Sequence, residues 1–184
     1  ITIEDPIEYH LDGIEQTQVD PDSGYTFVSG LRSILRQDPD IILVGEIRDL
    51  ETAEIGMNAA LTGHLVFSTL HTNNAAGAVP RLVDLGAKTS IIGPAINIII
   101  AQRLIRKLCN YCKVEIAPDE ITLDKIKSFI DELPKKTRLL YDGLAPKLYE
   151  ARGCPKCHEG FKGRIGIFEL LKYGDDMEAL ITHE

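Results

Sequence analysis

Two groups of residues have the types and spacing to do chemistry. Cys109-Asn110-Tyr111-Cys112 and Cys154-Pro155-Lys156-Cys157 form two C-x-x-C pairs and use every cysteine in the chain. Four thiolates in two such pairs are the donor set of a tetrahedral structural zinc site. Two disulfides or a redox pair are the rival readings. No secretory signal supports the first, and no thioredoxin-like βαβ setting supports the second. His158 reads as a bystander beside Cys157, and Cys-x-x-Cys-His also resembles a c-type haem attachment, which a second cysteine pair disfavours.

The other group is acidic and histidine-bearing. Ile41-Ile42-Leu43-Val44, bounded by Asp-Pro and Gly45-Glu46, is too short for a buried helix and reads as a fully buried parallel strand. Ligands in open α/β sheets sit beyond the carboxyl ends of strands. Glu46 therefore either serves magnesium–water chemistry or caps the next segment. Glu4, Asp5 and Glu8 follow a strand-like Ile1-Thr2-Ile3, where they either hold magnesium through water or form a solvated acidic turn. His64 and His71 flank a second apolar run, so His71 either contacts a phosphate or is structural. Arg32 and Arg36, four apart, share one helix face, which holds phosphate or an acidic neighbour, or is simply solvated.

The elements that position these residues can be read in order. Thr26 caps a helix through Phe27, Gly30, Leu31, Ile34 and Leu35, and Pro39 forbids its continuation. Residues 50–61 read as a helix ended by Gly63. Residues 64–71 read as a second buried strand, and Asn73 or Asn74 as the cap of a helix running to Gly86. A long helix is expected over residues 90–108. Alternating strands and helices indicate a parallel sheet covered on both faces. Residues 119–133 read as a separate helix, residues from Gly160 as a turn and a strand packing back on the main body, and residues 175–181 as a closing helix. The expected domains are 1–108, 109–160 and 161–184.

Composition sets limits. The 184 residues leave room for one ordinary domain and an appendage, and 44% hydrophobic content suffices for a core. A net charge of -8 argues against nucleic acid. The apolar segment from Ile91 to Leu104 is too short to span a bilayer and is interrupted by Pro94, Asn97, Gln102 and Arg103. An opening in mid-strand, with no signal peptide, suggests a fragment with residues missing upstream.

Together the motifs resemble the secretion ATPase superfamily, in particular the type II secretion and type IV pilus assembly ATPases. Ile3-Glu4-Asp5-Pro6-Ile7-Glu8-Tyr9 is similar to that family's aspartate box. Gly30 to Asp40, followed by Ile41 to Asp49, resembles its Walker B region. Thr62-Gly63-His64 through Ser68-Thr69-Leu70-His71-Thr72-Asn73 resembles its histidine box, and the paired cysteines resemble the zinc element of the assembly and secretion branch. A general Walker B strand ends in Asp; here Gly45 stands there and Glu46 follows, as in the family. No G-x-x-x-x-G-K-[ST] loop occurs in these residues, and the family places it upstream of the aspartate box.

The resemblance implies an α/β fold, an incomplete RecA-like P-loop NTPase core with a mostly parallel sheet, plus a small tetracysteine zinc subdomain. It implies ATP, Mg2+ and Zn2+ as cofactors, with Glu46, Glu4 and His71 in catalysis and Glu8, His64, Arg32 and Arg36 toward nucleotide. Arg48 and Arg81 are further unranked candidates for phosphate or subunit contacts. Cys109, Cys112, Cys154 and Cys157 would hold the zinc. The implied setting is a cytoplasmic homohexamer, peripheral at the inner membrane, acting on a platform protein and its cytoplasmic adaptor without membrane insertion or nucleic acid. Alternatives are pilus retraction, DNA translocation, or a non-catalytic docking module.

Overall fold

The computed structural model describes residues 1–143 and 147–174, with Met177 and Ile181. Most of the closing helix expected over residues 175–181 lies outside the described residues. The chain divides into two compact units, Ile1–Gln102 with Phe168–Glu184, and Arg103–Ile167.

In the first unit, strands Thr2–Glu4 (β1), Gln16–Gln18 (β2), Ile41–Val44 (β3) and Leu65–Ser68 (β4) form a parallel sheet in the order β2-β1-β3-β4. The helix Phe27–Leu35 (α1) starts where expected, because Thr26 and Ser29 form a reciprocal capping box. Helix Leu50–Leu61 (α2) is capped by Asp49, whose side chain accepts the Thr52 N–H. One cluster joins Ile3, Ile42 and Val44 of the sheet to Leu31 and Ile34 of α1 and Ala59 of α2. Each fully buried aliphatic side chain contributes about 1.5–3 kcal/mol. A second cluster packs Ala53 and Met57 of α2 against Leu82 of the helix Ala78–Asp84 (α3) and Ile92 and Ala95 of the helix Thr89–Ala95 (α4).

Three expectations need correction. The strand at residues 41–44 is not fully buried: Ile42 and Val44 are, but Ile41 and Leu43 are 51% and 36% exposed. Leu65 and Phe67 of β4 are likewise 49% and 51% exposed. The described helices cover one face of the sheet, so alternate side chains on the other face meet solvent. The helix expected to begin at Asn73 or Asn74 begins at Ala78. Asn74 does accept the Gly77 N–H at 2.8 Å, but this closes a turn ahead of the helix.

The third correction is the largest. The helix expected over residues 90–108 is the short α4, followed by an eleven-residue strand, Ile98–Leu108 (β5). Pro94 lacks an N–H and sits in the last turn of α4. The β-branched run Ile98-Ile99-Ile100 then favours extended backbone, and β5 finds its partner in Phe161–Lys172 (β8). The N–H groups of Tyr173 and Cys109 donate to Asn97 and Gly160 oxygens at 3.0 and 2.8 Å, which makes the pair antiparallel.

The second unit also holds the antiparallel strands Val114–Ile116 (β6) and Leu148–Glu150 (β7). Between them lie the helix Glu120–Glu132 (α5) and a single turn, Lys135–Arg138 (α6). Asp119 caps α5 by accepting from Thr122, and those hydrogen bonds hold its carboxyl below the usual range.

Gly30 and Gly56 make a paired test of this packing. A Cβ on Gly30 would clash with Ile3 Cδ1 and lie 2.9 Å from the Tyr25 ring. Ile3 is fully buried in the packed cluster, so its Cδ1 could give way only by displacing neighbouring core atoms. Gly56, also helical, has no atom within 4 Å of its virtual Cβ. In urea unfolding, Gly30→Ala is expected to destabilise, because overpacking at about 1–3 kcal/mol outweighs the helix-propensity gain of up to about 1 kcal/mol. Gly56→Ala is expected to stabilise by about 0.5–1 kcal/mol.

Candidate functional site

The carboxyl edge of the parallel sheet is built around residues 45–49. Gly45 N–H donates to Ile3 O at 2.8 Å, and a Cβ at this position would stand 3.2 Å from both Glu4 Cα and Ile3 O. A side chain here would press on β1, so this position favours glycine. The next residue carries the carboxylate. Thr69 then latches this segment to the end of β4: its hydroxyl donates to Gly45 O at 2.7 Å and its carbonyl accepts the Ile47 N–H at 3.0 Å.

Glu46 is only 9% exposed. Its Oε2 lies 2.5 Å from Arg48 Nε and 3.3 Å from His71 Nε2. The Arg48 and His71 side chains are 64% and 82% exposed. A buried carboxylate thus faces outward between two exposed nitrogen-bearing groups, at the strand ends where ligands of open α/β sheets bind. Such a group can accept a proton from, or orient, a water at the edge of the sheet.

The other sequence-derived residues are distributed more widely. Glu4 lies at the same edge, with its Cα against Gly45. Its carboxylate accepts from the Thr2 hydroxyl at 2.5 Å and Gln16 Nε2 at 3.0 Å. Glu8 is exposed in the connection between β1 and β2. His64 precedes β4 and therefore lies at the opposite, amino-terminal edge; its Nδ1 is 3.0 Å from Ala59 O. Arg32 pairs with Glu51 of α2 at 2.8 Å. Arg36 donates to Ser33 Oγ at 3.0 Å on its own helix. Arg81 is exposed on α3. The structure thus brings together Glu46, His71 and Arg48. The i, i+2 charge pair Glu46/Arg48 was the local signal that could have ranked Arg48 above the other arginines. The Thr69 latch has no such signal, because it joins two strands.

The second unit gathers the four cysteines. In each C-x-x-C the last N–H donates to the first carbonyl, at 3.2 Å in Cys109/Cys112 and 3.1 Å in Cys154/Cys157, so both pairs form similar turns. The Cys109 N–H donates to Gly160 O, which seats the first turn against the second. The Sγ atoms lie 4.0 Å apart for Cys109–Cys154, 3.7 Å for Cys112–Cys157 and 3.6 Å for Cys154–Cys157. All four are within 4.8 Å of one another, and none is in a disulfide. A tetrahedron of thiolates around zinc at about 2.3 Å has edges of about 3.8 Å, which fits the observed spacing. Burial and the Cys157 contact push the Cys112 thiol up to about 12. Burial also acts to raise Cys157, but hydrogen bonds, the Cys154 N–H foremost, outweigh it and bring that thiol down to about 7. His158 is 91% exposed at its side chain, beside Glu159.

Comparison with known proteins places this geometry. The family model described as Type II/IV secretion system protein matches residues 1–184. The type II secretion system ATPase E of Vibrio cholerae is 52% identical over 185 residues, covering 100% of this chain and 34% of that protein. The type IV pilus assembly ATPase PilB of Acinetobacter baylyi is 46% identical, covering 100% of this chain and 30% of its own. The crystal structure of the pilus retraction motor PilT with bound ADP is similar at a TM-score of 0.62 and 31% identity, over 98% of this chain and 40% of that one. The Legionella pneumophila ATPase DotB follows at 0.58 and 26%, over 97% and 38%. The chain therefore spans about a third of the length of the curated relatives it matches. With its parallel α/β sheet, its buried edge carboxylate and a match along its whole length, the chain belongs to the Type II/IV secretion system protein family.

Proposed function

We propose that this chain is part of an ATP-hydrolysing motor subunit that drives assembly of type II secretion pseudopili or type IV pili. The observation that carries the reading is Glu46, buried at the sheet's carboxyl edge between Arg48 and His71. Magnesium-bound ATP would supply the transferable phosphoryl group and the charge that neutralises its oxygens. Glu46 orients or deprotonates the attacking water. Arg48, exposed at its outer end, exchanges its carboxylate partner for a phosphate oxygen, and His71 contacts the γ-phosphate. Glu4 polarises water from the neighbouring strand. Among the described residues no carboxylate cluster could hold a metal by itself, which accords with an ion held through water and phosphate. The phosphate-binding loop, absent from these residues, belongs in this reading to the portion of the longer relatives that this chain does not span.

The relatives named as secretion and assembly ATPases are 46–52% identical, against 31% for the retraction motor. Together with the tetracysteine cluster, this favours assembly or secretion over retraction. The subunit would work as a ring of six on the cytoplasmic side of the inner membrane, against a platform protein and its adaptor. Among the described residues no helix is long and apolar enough to cross a membrane.

In the intact, assembled protein, Glu46→Gln is expected to lower the rate of ATP hydrolysis by about 10²–10⁴-fold, as loss of a general base does. An unchanged rate would remove Glu46 from the chemistry, and no hydrolysis by the assembled wild type would overturn the reading in favour of a docking module.

The four thiolates would hold zinc in a structural role. Among the described residues of the second unit, Cys109 is the only member of the buried core, and α5 has no buried residue. A unit this poor in apolar burial needs another staple. Metal analysis is expected to find one zinc per chain, and chelation to lose helical circular dichroism from residues 120–132. Because the ligands bind as thiolates, protons compete with the ion. Chelator-driven zinc release should therefore be more complete at pH 6 than at pH 8. A metal-free protein with the same helicity at both pH values would refute the assignment.

A further inference from the structure

His71 is 82% exposed at its side chain, yet it reaches Glu46 at 3.3 Å, so its placement depends on the loop that carries it. That loop is anchored at both ends. At the upstream end Thr69 is bonded to Gly45 and Ile47. At the downstream end the Ala75 N–H donates to Glu169 Oε2 at 2.7 Å. Ala75 is 1% exposed, so its N–H needs a partner inside the protein. The partner comes from a strand 94 residues further along the chain. Between the anchors, the Thr72 hydroxyl donates to Asn74 O at 3.0 Å and Asn74 Oδ1 accepts the Gly77 N–H at 2.8 Å. These local bonds shape the loop but do not attach it to anything else. All the residues involved belong to the first unit.

We propose that Glu169 is a positioning residue: its carboxylate on β8 pins Ala75 and so holds His71 within reach of Glu46. The proposal rests on the reading of Glu46 and His71 as the hydrolytic pair. The chemistry is specific to an oxygen acceptor. A carboxylate accepting a backbone N–H makes a short, charge-assisted bond, glutamine keeps a neutral acceptor of the same reach, and alanine leaves the buried N–H without a partner. A displacement of catalytic groups of about 1 Å can cost about 10²-fold in rate.

The test uses the full-length, assembled protein with Glu169→Ala and Glu169→Gln. Steady-state ATP hydrolysis is measured alongside amide hydrogen exchange over residues 72–77. Glu169→Ala is expected to lower kcat about 10–100-fold, leave KM for ATP within about twofold, and speed exchange in the loop. Glu169→Gln should restore kcat to within about threefold of wild type and restore protection. Exchange unchanged in Glu169→Ala, or kcat retained within twofold, would overturn the proposal. So would equal loss in the alanine and glutamine variants. If the wild type and Glu46→Gln hydrolyse ATP alike, the hydrolytic reading fails instead, and the exchange data alone decide whether Glu169 holds the loop.

Discussion

The structure of the first unit depends on β3 being hydrogen-bonded on both sides. Val44 is in register with Ile3 of β1 and with Ser68 of β4. A strand paired on both edges cannot slip by one residue without turning its buried side chains outward, so the residue at which it ends is fixed by register. Glu46, two residues past that end, inherits this precision. His71, three residues past the end of β4, inherits it through the Thr69 latch. The chemistry at the edge is therefore a consequence of register, and Gly45 is the residue that lets β1 come close enough to set it.

The two units answer the problem of stability differently. The first buries aliphatic side chains between the sheet and α1 and α2, with α3 and α4 on the far side of α2. The second has almost no apolar core among its described residues and gathers four cysteine sulfurs instead. Exposed cations lie over aromatic rings near those turns, with Lys156 over Tyr111 at 4.4 Å and Arg106 over Phe161 at 3.9 Å. These contacts contribute modestly at exposed positions, about 0.5–1 kcal/mol each. They do not replace a core, which leaves the sulfur cluster as the interaction with the largest stake in that unit.

Some of this was legible in the chain because the physics is local. The Thr26 cap, the apolar spacing of residues 50–61 and 119–133, and the short β-branched-rich run at Ile41–Val44 act between near neighbours. They gave element type correctly and boundaries to within about a residue. The two C-x-x-C pairs announced a four-sulfur cluster, and the cysteines do converge. Motif order alone carried the family.

Other features needed a partner distant in sequence. Residues 98–108 carry helix-compatible spacing and become a strand because β8, more than fifty residues on, supplies the hydrogen bonds. The outward exposure of Ile41 and Leu43 depends on which face the helices choose. The pairing of Arg48 with Glu46, two residues away, is the exception, a local signal that the geometry turned into a contact. The Ala75–Glu169 bond spans 94 residues and has no local trace. The sequence by itself determined caps, short apolar periodicity and ligand types, since these act between near neighbours. Only the tertiary structure decided which strand pairs, which face is covered and which charges meet, because those energies belong to residues that folding alone makes adjacent.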